Sequence, residues 1–316
     1  MSVLLLRRLV SFVLTLLAAT LVVFMVLEVL PGDPAAVMLG VEARPDTLAA
    51  LRRELGTDRP VVLRYLVWIG ELARGDLGRS LTYDVPVSEL IAERLVVSLP
   101  LALLAMLLAV AIGLPAGALA ASARGRPADT ITMTVSQLGV AVPNFWFAIL
   151  LILLFAVQLG WLPAGGFAGW QAGIAAALGS LAMPAVALAL PQAAILARLT
   201  RSAVLEALAA DHVRTARAKG LTAGAALRRH ALPVAMIPIV TIMGLQFSFL
   251  LAGTIIIENV FYLPGIGRLT FQAIAQRDLV VVRDVVVLLV AAVLAINLVV
   301  DLLYLWLDPR LRAGRG

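Results

Sequence analysis

Apolar residues run along the chain in long stretches, separated by segments dense in Asp, Glu, Lys and Arg. A helix that crosses a bilayer needs about 20 mostly apolar residues. Six stretches reach that length: 9–30, 98–121, 131–159, 178–199, 234–257 and 285–307. The pattern predicts an all-α membrane protein with about six transmembrane helices, since in lipid every backbone polar group must be satisfied within its own segment. An even count puts both termini on one side. Arg7 and Arg8, Arg124 and Arg126, the cluster Arg198, Arg201, Arg214, Arg217, Lys219, Arg228 and Arg229, and the tail Arg310, Arg312 and Arg315 all fall on that side. By the positive-inside rule it is the cytoplasmic one, so N and C termini are expected in the cytoplasm. Opposite, 160–173 carries no charge, and in 264–284 Arg268, Arg277 and Arg283 are offset by Asp278 and Asp284.

The segment 31–97 breaks this simple alternation, with both signs of charge mixed through it. Leu48, Leu51 and Leu55, then Val62, Tyr65, Leu66, Ile69 and Leu72, recur at helical spacing between the breakers Pro45, Gly56, Pro60, Gly75 and Gly78. Short amphipathic helices over the outer mouth are expected, either as a cap on the bundle or as a place to receive a partner. Arg7 and Arg8 before an apolar run imitate a signal peptide, but 9–27 is long for one and lacks a small-x-small cleavage site, so it reads as an uncleaved first span. The expected organisation is 1–97 as first span plus extracytoplasmic helical segment, 98–308 as the core with a loop at 201–233, and 309–316 as a cytoplasmic tail.

Composition agrees with the pattern. Of 316 residues, 62% are hydrophobic and 14% charged, and the mean hydropathy is +1.02, which is more apolar surface than one soluble core can bury. The net charge of +6 therefore reports topology rather than nucleic acid, the more so because the basic loops lack the interleaved aromatics of a single-strand platform. With no cysteine, disulfides, zinc thiolates and a cysteine nucleophile are excluded, while the redox compartment stays open.

Chemistry inside the spans is sparse. Ionisable residues there are costly and usually functional, yet Glu28 and Asp301 lie at span ends and read as structural rather than as a proton relay. Gln137, Asn144, Gln192, Gln246, Ser248 and Asn297 form a mild polar set, of which Asn144, Gln192 and Gln246 are candidates to line a pathway. Pro100, Pro115, Pro143, Pro184, Pro191 and Pro238 act as helix disruptors that hint at bends, and Gly113 with Gly117 marks a close helix contact. His212 and His230, the chain's two histidines, both lie in the basic loop; zincin pairs, a nucleophile elbow and a phosphate-binding glycine loop are all missing. No catalytic or metal-binding residues are assigned, and if ATP drives this protein it binds another chain.

The most informative segment is 206–233. From Glu206 to Gly220 it is too polar to span and too regular for a slack linker. Alanines and long basic residues favour helix, Asp211 can meet Arg214 and Thr215 on the next turn, Arg217 and Lys219 complement the dipole, and Gly220 supplies a left-handed C-cap. A second short helix, 223–231, is expected before Pro233 and the fifth span. The result is a helix-turn-helix elbow on the cytoplasmic side.

Here the chain resembles the inner-membrane permease subunits of ATP-binding-cassette importers, in the peptide/nickel branch. The resemblance rests on Glu206-Ala207-Leu208, Asp211 to Leu221 and Arg229-His230-Ala231-Leu232-Pro233, with Leu208 standing where the family's signature has alanine. Around it, in order, lie Leu30-Pro31-Gly32-Asp33-Pro34, Gly56-Thr57-Asp58-Arg59-Pro60, Arg74-Gly75-Asp76-Leu77-Gly78-Arg79-Ser80, Glu258-Asn259-Val260-Phe261 with Pro264-Gly265-Ile266-Gly267, and Asn297 to Tyr304 with Leu307-Asp308-Pro309-Arg310. The resemblance implies a type I importer permease fold in the inner membrane, forming half of a translocation pathway. It implies a second homologous permease as heterodimer partner, two ATP-binding subunits that hold ATP and Mg, and an extracytoplasmic substrate-binding protein. It also implies that Glu206, Asp211, Arg214, Thr215, Ala216, Lys219, Gly220, His230 and Pro233 couple to the ATPase. Di- and oligopeptides are the expected substrates, with nickel chelates, glutathione or opine-like solutes as alternatives. An ion-coupled carrier or channel would use buried charges or an inverted repeat, and neither stands out.

Overall fold

A computed structural model describes residues 2–29, 34–39, 44–54 and 56–307. The motif at 30–33, Leu55 and the tail from Asp308, with Arg310, Arg312 and Arg315, lie outside the described residues. In chain order the helices are α1 (Ser2–Val29), α2 (Pro34–Leu39), α3 (Pro45–Glu54), α4 (Val61–Ala73), α5 (Val87–Ser122), α6 (Pro127–Ala141), α7 (Asn144–Leu151), α8 (Ile174–Ala209), α9 (Asp211–Ala218), α10 (Ala223–Ala226), α11 (Leu232–Val260), α12 (Ile266–Ala275) and α13 (Leu279–Leu307). A π-helical stretch, Ile152–Gln158, continues α7, and another, Leu227–Ala231, joins α10 to α11. Among the described residues the only bridge of β type is Arg79 with Pro86.

Among the described residues five helices are long and apolar enough to cross a bilayer: Leu6–Val29, Val87–Ser122, Ile174–Ala209, Ala223–Val260 and Leu279–Leu303. The sixth apolar stretch is broken, because α6 and the helix from Asn144 meet at 97°. Pro143 is the cause: it has no N–H to give and drives the residue before it out of helical conformation. Val142 is accordingly extended, at φ −83 and ψ 123. The Asn144 side chain then accepts the Phe145 N–H at 2.9 Å, satisfying one donor at the new helix start. Pro100 and Pro115 in α5, Pro184 and Pro191 in α8, and Pro238 in α11 are carried inside unbroken helices. Of the prolines read as disruptors, Pro143 alone stops one.

The chain divides into two compact units. One comprises Ser98–Pro264 with the last helix from Ala295. At its centre α8 packs against α11, α6 and α7. Small residues set how closely its helices approach: a Cβ on Gly113 would come within 2.8 Å of the Ala193 carbonyl, and one on Gly117 would run into the Ala197 carbonyl. The expected close contact is thus α5 on α8. Between α6 and α8, Arg201 grips Asp129 with both arms of its fork, Nε to Oδ1 at 2.5 Å and Nη2 to Oδ2 at 2.8 Å. Asp129 also accepts the Gly125 N–H at 3.0 Å, so one carboxylate closes the turn before α6 and ties it to α8.

The other unit comprises Ser2–Val97 and Gly265–Leu294. The expected amphipathic pattern becomes α3 and α4; Pro45 opens the first, Pro60 the second, and Gly56 and Gly75 take positive φ in the turns after them. Trp68 is the buried residue of α4, stacked on Phe24 of α1 with Tyr65 edge-on. Trp68 Nε1 donates to Asp284 at 3.2 Å, and the Arg283 guanidinium lies 4.5 Å from the ring centre. Glu28 pairs with Arg64, which is the structural role expected of that span-end acid.

Candidate functional site

The elbow starts where α8 outruns the apolar stretch that defines its span. Its last turns bury Val204 and Ala207 and leave Glu206 exposed. The helix stops at Ala210, which is extended at φ −67 and ψ 145, and α9 begins at Asp211 with an acid in its first turn, where the helix dipole favours one. Thr215 Oγ1 donates back to the Asp211 carbonyl at 2.8 Å, and Arg214 stands 3.7 Å from the Asp211 carboxylate. These are the two pairings the spacing predicts.

The far end of α9 is closed by backbone alone. Gly220 donates to the Arg217 carbonyl at 2.9 Å and Leu221 to the Ala216 carbonyl at 3.3 Å. Those two bonds form a Schellman motif, which needs a left-handed residue after the cap. Gly220 provides it with φ +95. Thr222 then caps the next helix, its Oγ1 accepting the Ala225 N–H at 3.3 Å. That cap is legible as a threonine three residues before a helical backbone donor, and the sequence reading passes over it.

Beyond Thr222 the structure departs from the separate helix expected at 223–231. From Ala223 to Val260 the chain is one helix, widened by the π-helical turn Leu227–Ala231. Pro233 explains the widening: its ring would clash with the carbonyl four residues back, and a π turn moves that carbonyl aside. His230 sits half-buried within this turn, and Pro233 is exposed at the start of α11. The elbow is therefore rooted directly in a membrane-crossing helix at each end.

Burial separates the elbow into a peg and a free surface. Val213 is fully buried, while Asp211, His212, Arg214, Thr215, Arg217, Lys219 and Gly220 are exposed and Ala216 is half-buried. The roots of the elbow join an apolar cluster of Ala121, Leu196, Val204, Ala207, Ala231, Ala235 and Ile239, drawn from α5, α8 and the helix after the elbow. A short rigid helix thus presents mixed charge outward and is held by one valine and by its two roots.

Of the pathway candidates, Gln246 reaches the backbone of Gln192: its side-chain amide donates to the Gln192 main-chain carbonyl at 3.2 Å across α8 and α11. Gln246 is buried, and its Oε1 has no partner. Asn144 is half-buried and spends its carbonyl on its own helix start. Sequence reasoning met Glu258 only within a family motif and gave it no role, whereas the structure buries it fully near the end of α11 with the Ser98 hydroxyl donating to it at 2.5 Å; Asp129 in its fork with Arg201 was missed. The signal for Glu258 was present, as an acid at the foot of an apolar run. Among the described residues no group of three or more His, Asp or Glu is placed to hold a metal ion.

Comparison with known proteins places this architecture. Residues 113–313 match the family model described as binding-protein-dependent transport system inner membrane component, and residues 1–102 match the model of that system's membrane component N-terminal region. A putative peptide transport system permease protein of Brucella abortus is 43% identical over 312 residues, covering 99% of each chain. A glutathione transport system permease protein of Salmonella choleraesuis is 40% identical over 307 residues, covering 97% of this chain and 98% of that one. Among solved structures, the inward-facing methionine ABC transporter MetNI matches with a TM-score of 0.58 at 21% identity, covering 70% of this chain and 97% of that chain, a likeness of fold.

Proposed function

The chain belongs to the family of binding-protein-dependent transport system inner membrane components, and from that membership we propose that it forms half of an import pathway for di- or oligopeptides, driven by ATPase subunits that dock on the α9 elbow. The membership itself makes it a multi-pass permease component of the inner membrane. The observation that carries the rest is α9: eight residues from Asp211 to Ala218, closed by backbone at Gly220, pegged by Val213, half-buried at Ala216 and exposed elsewhere. A partner that closes on nucleotide must move the membrane helices through a rigid element, and a short capped helix rooted in two spans transmits a push without absorbing it. Asp211, Arg214, Thr215, Arg217 and Lys219 offer the polar contacts, while Gly220 and the Pro233 root set the angle.

In this reading the elbow side is cytoplasmic, a second homologous permease completes the pathway, and the partner subunits hold ATP and Mg. An extracytoplasmic binding protein delivers substrate to the unit that contains α3 and α4. Peptide as substrate is supported by the names carried by the relatives at 43% identity, with glutathione, itself a tripeptide, in the same chemical class.

The full chain, isolated gently from its native membrane, is expected to carry an ATP-hydrolysing partner. Reversing charge at Arg214 and Arg217 to Glu is expected to remove that partner while the chain stays monodisperse. A native preparation without ATPase, or ATP-dependent uptake left intact by Gly220→Pro, overturns the docking. Uptake of labelled dipeptide in vesicles with the cognate binding protein, competed by oligopeptide, glutathione or nickel chelate, decides the substrate.

A further inference from the structure

A cavity of about 450 Å³ lies at the root of the elbow, walled by α5, α8 and the helix that continues from the π turn. Its size is that of a small-molecule pocket. The walls are apolar, with Leu114 from α5 and Leu232, Met236 and Ile239 from the opposite side. Thr200 adds carbon to the wall, since its Oγ1 is buried without a hydrogen-bond partner and shows essentially no surface to the void. One polar side chain interrupts the apolar lining. Arg228 lines the cavity and is exposed; its Nε makes a long bond to the Gly224 carbonyl at 3.4 Å, and its other guanidinium N–H groups have no protein partner among the described residues.

The cavity stands at a chemical boundary along each wall. After the apolar run of α5 come Arg124 and Arg126, after Thr200 comes Arg201, and Arg228 and Arg229 precede the apolar part of α11. One end of the pocket is therefore at the level where basic residues gather, and Leu114, Met236 and Ile239 lead from it into the apolar part of the spans. Basic pockets between membrane helices on the positively charged side suit anionic headgroups. We infer that this cavity binds an anionic phospholipid of the surrounding bilayer, with an acyl chain against Leu114, Met236 and Ile239 and the phosphate on Arg228. The occupant rests against the π turn that roots the elbow. The site does not depend on the ATPase reading, since every group in it comes from this chain.

Native mass spectrometry of the full chain, released from mixed micelles of phosphatidylglycerol and phosphatidylcholine, tests it. The wild type is expected to retain phosphatidylglycerol in preference to phosphatidylcholine. Arg228→Ala is expected to lower that retention about fivefold, and Arg228→Lys to keep most of it. Ala118→Phe, which fills the cavity and leaves the charge in place, is expected to abolish retention. Thr200→Val preserves side-chain shape, removes a hydroxyl that the cavity does not reach and is expected to leave retention unchanged. Equal retention of both lipids by the wild type overturns the site. So does wild-type retention in a monodisperse Ala118→Phe, which reduces the effect to surface charge, or unchanged retention in Arg228→Ala.

Discussion

Two short charged segments that interrupt apolar runs, 210–221 and 276–284, look alike as strings of Asp and Arg but spend their charges in opposite ways. In the elbow, Asp211 and Arg214 keep side-chain exposures of 96% and 71%, and their mutual pairing is loose at 3.7 Å. In the other segment Asp278 and Asp284 are each 1% exposed. Asp278 accepts from the Ser80 hydroxyl at 2.5 Å, the Thr82 N–H at 3.1 Å and the Val281 N–H at 3.2 Å, so it clamps the turn after Gly78 to the start of α13. Asp284 takes the Trp68 indole and the Arg283 guanidinium, both on Oδ1, while its Oδ2 is buried without a hydrogen-bond partner. A buried carboxylate is held by the hydrogen bonds it makes inside the chain, and a group closed off from solvent in this way is out of reach of another protein. Charges that remain solvated on a rigid helix are the ones available to another chain.

The strongest way to break this contrast is Asp278→Ala, which strands the buried Ser80 hydroxyl and the buried Val281 N–H and frees the Thr82 N–H. About 3 kcal/mol of stability should be lost, read as a lower unfolding midpoint in detergent. A midpoint unchanged from the wild type would put Asp278 in the same class as Arg214. Next comes Val213→Ala. Removing two buried methyl groups should cost about 1.5 kcal/mol, felt locally as faster hydrogen exchange across α9 with the rest of the chain unaffected. Gly220→Ala ranks third at about 1 kcal/mol, because a β-carbon is strained at φ +95. Gly220→Asn should be milder, and ATP-dependent uptake should rank glycine above asparagine above alanine. Arg214→Ala is the smallest in stability, within about 0.5 kcal/mol, yet it should weaken ATPase retention. If it shifts stability and spares the partner, the exposed segment serves the fold after all.

Much of the elbow was legible because its determinants are local. A left-handed cap needs glycine one residue past the helix, and Asp211 meets Thr215 one turn on, so Gly220 and Thr215 could be placed from spacing alone. The widening at Leu227–Ala231 and the unbroken run into α11 were not, since Pro233 allows either a new helix start or a π turn within one helix. The kink at Pro143 and the passage of Pro191 inside α8 show the same ambiguity. Each proline removes one N–H, and neighbouring helices decide whether the chain turns there.

By itself the sequence determined the apolar spans, the amphipathic α3 and α4, and a capped polar helix ending at Gly220. All arise from hydropathy, period and backbone sterics within a few turns of chain. Tertiary structure alone decided which charges are consumed. Asp129 finds Arg201 at a separation of 72 residues and Asp278 finds Ser80 at 198. It also decided that Gly113 and Gly117 admit α8 against α5, and that Thr200 is buried with no acceptor in reach. The reason is physical: the free energy of a polar group depends on whether water, a partner or neither stands next to it. Only the packed chain determines which of the three it is.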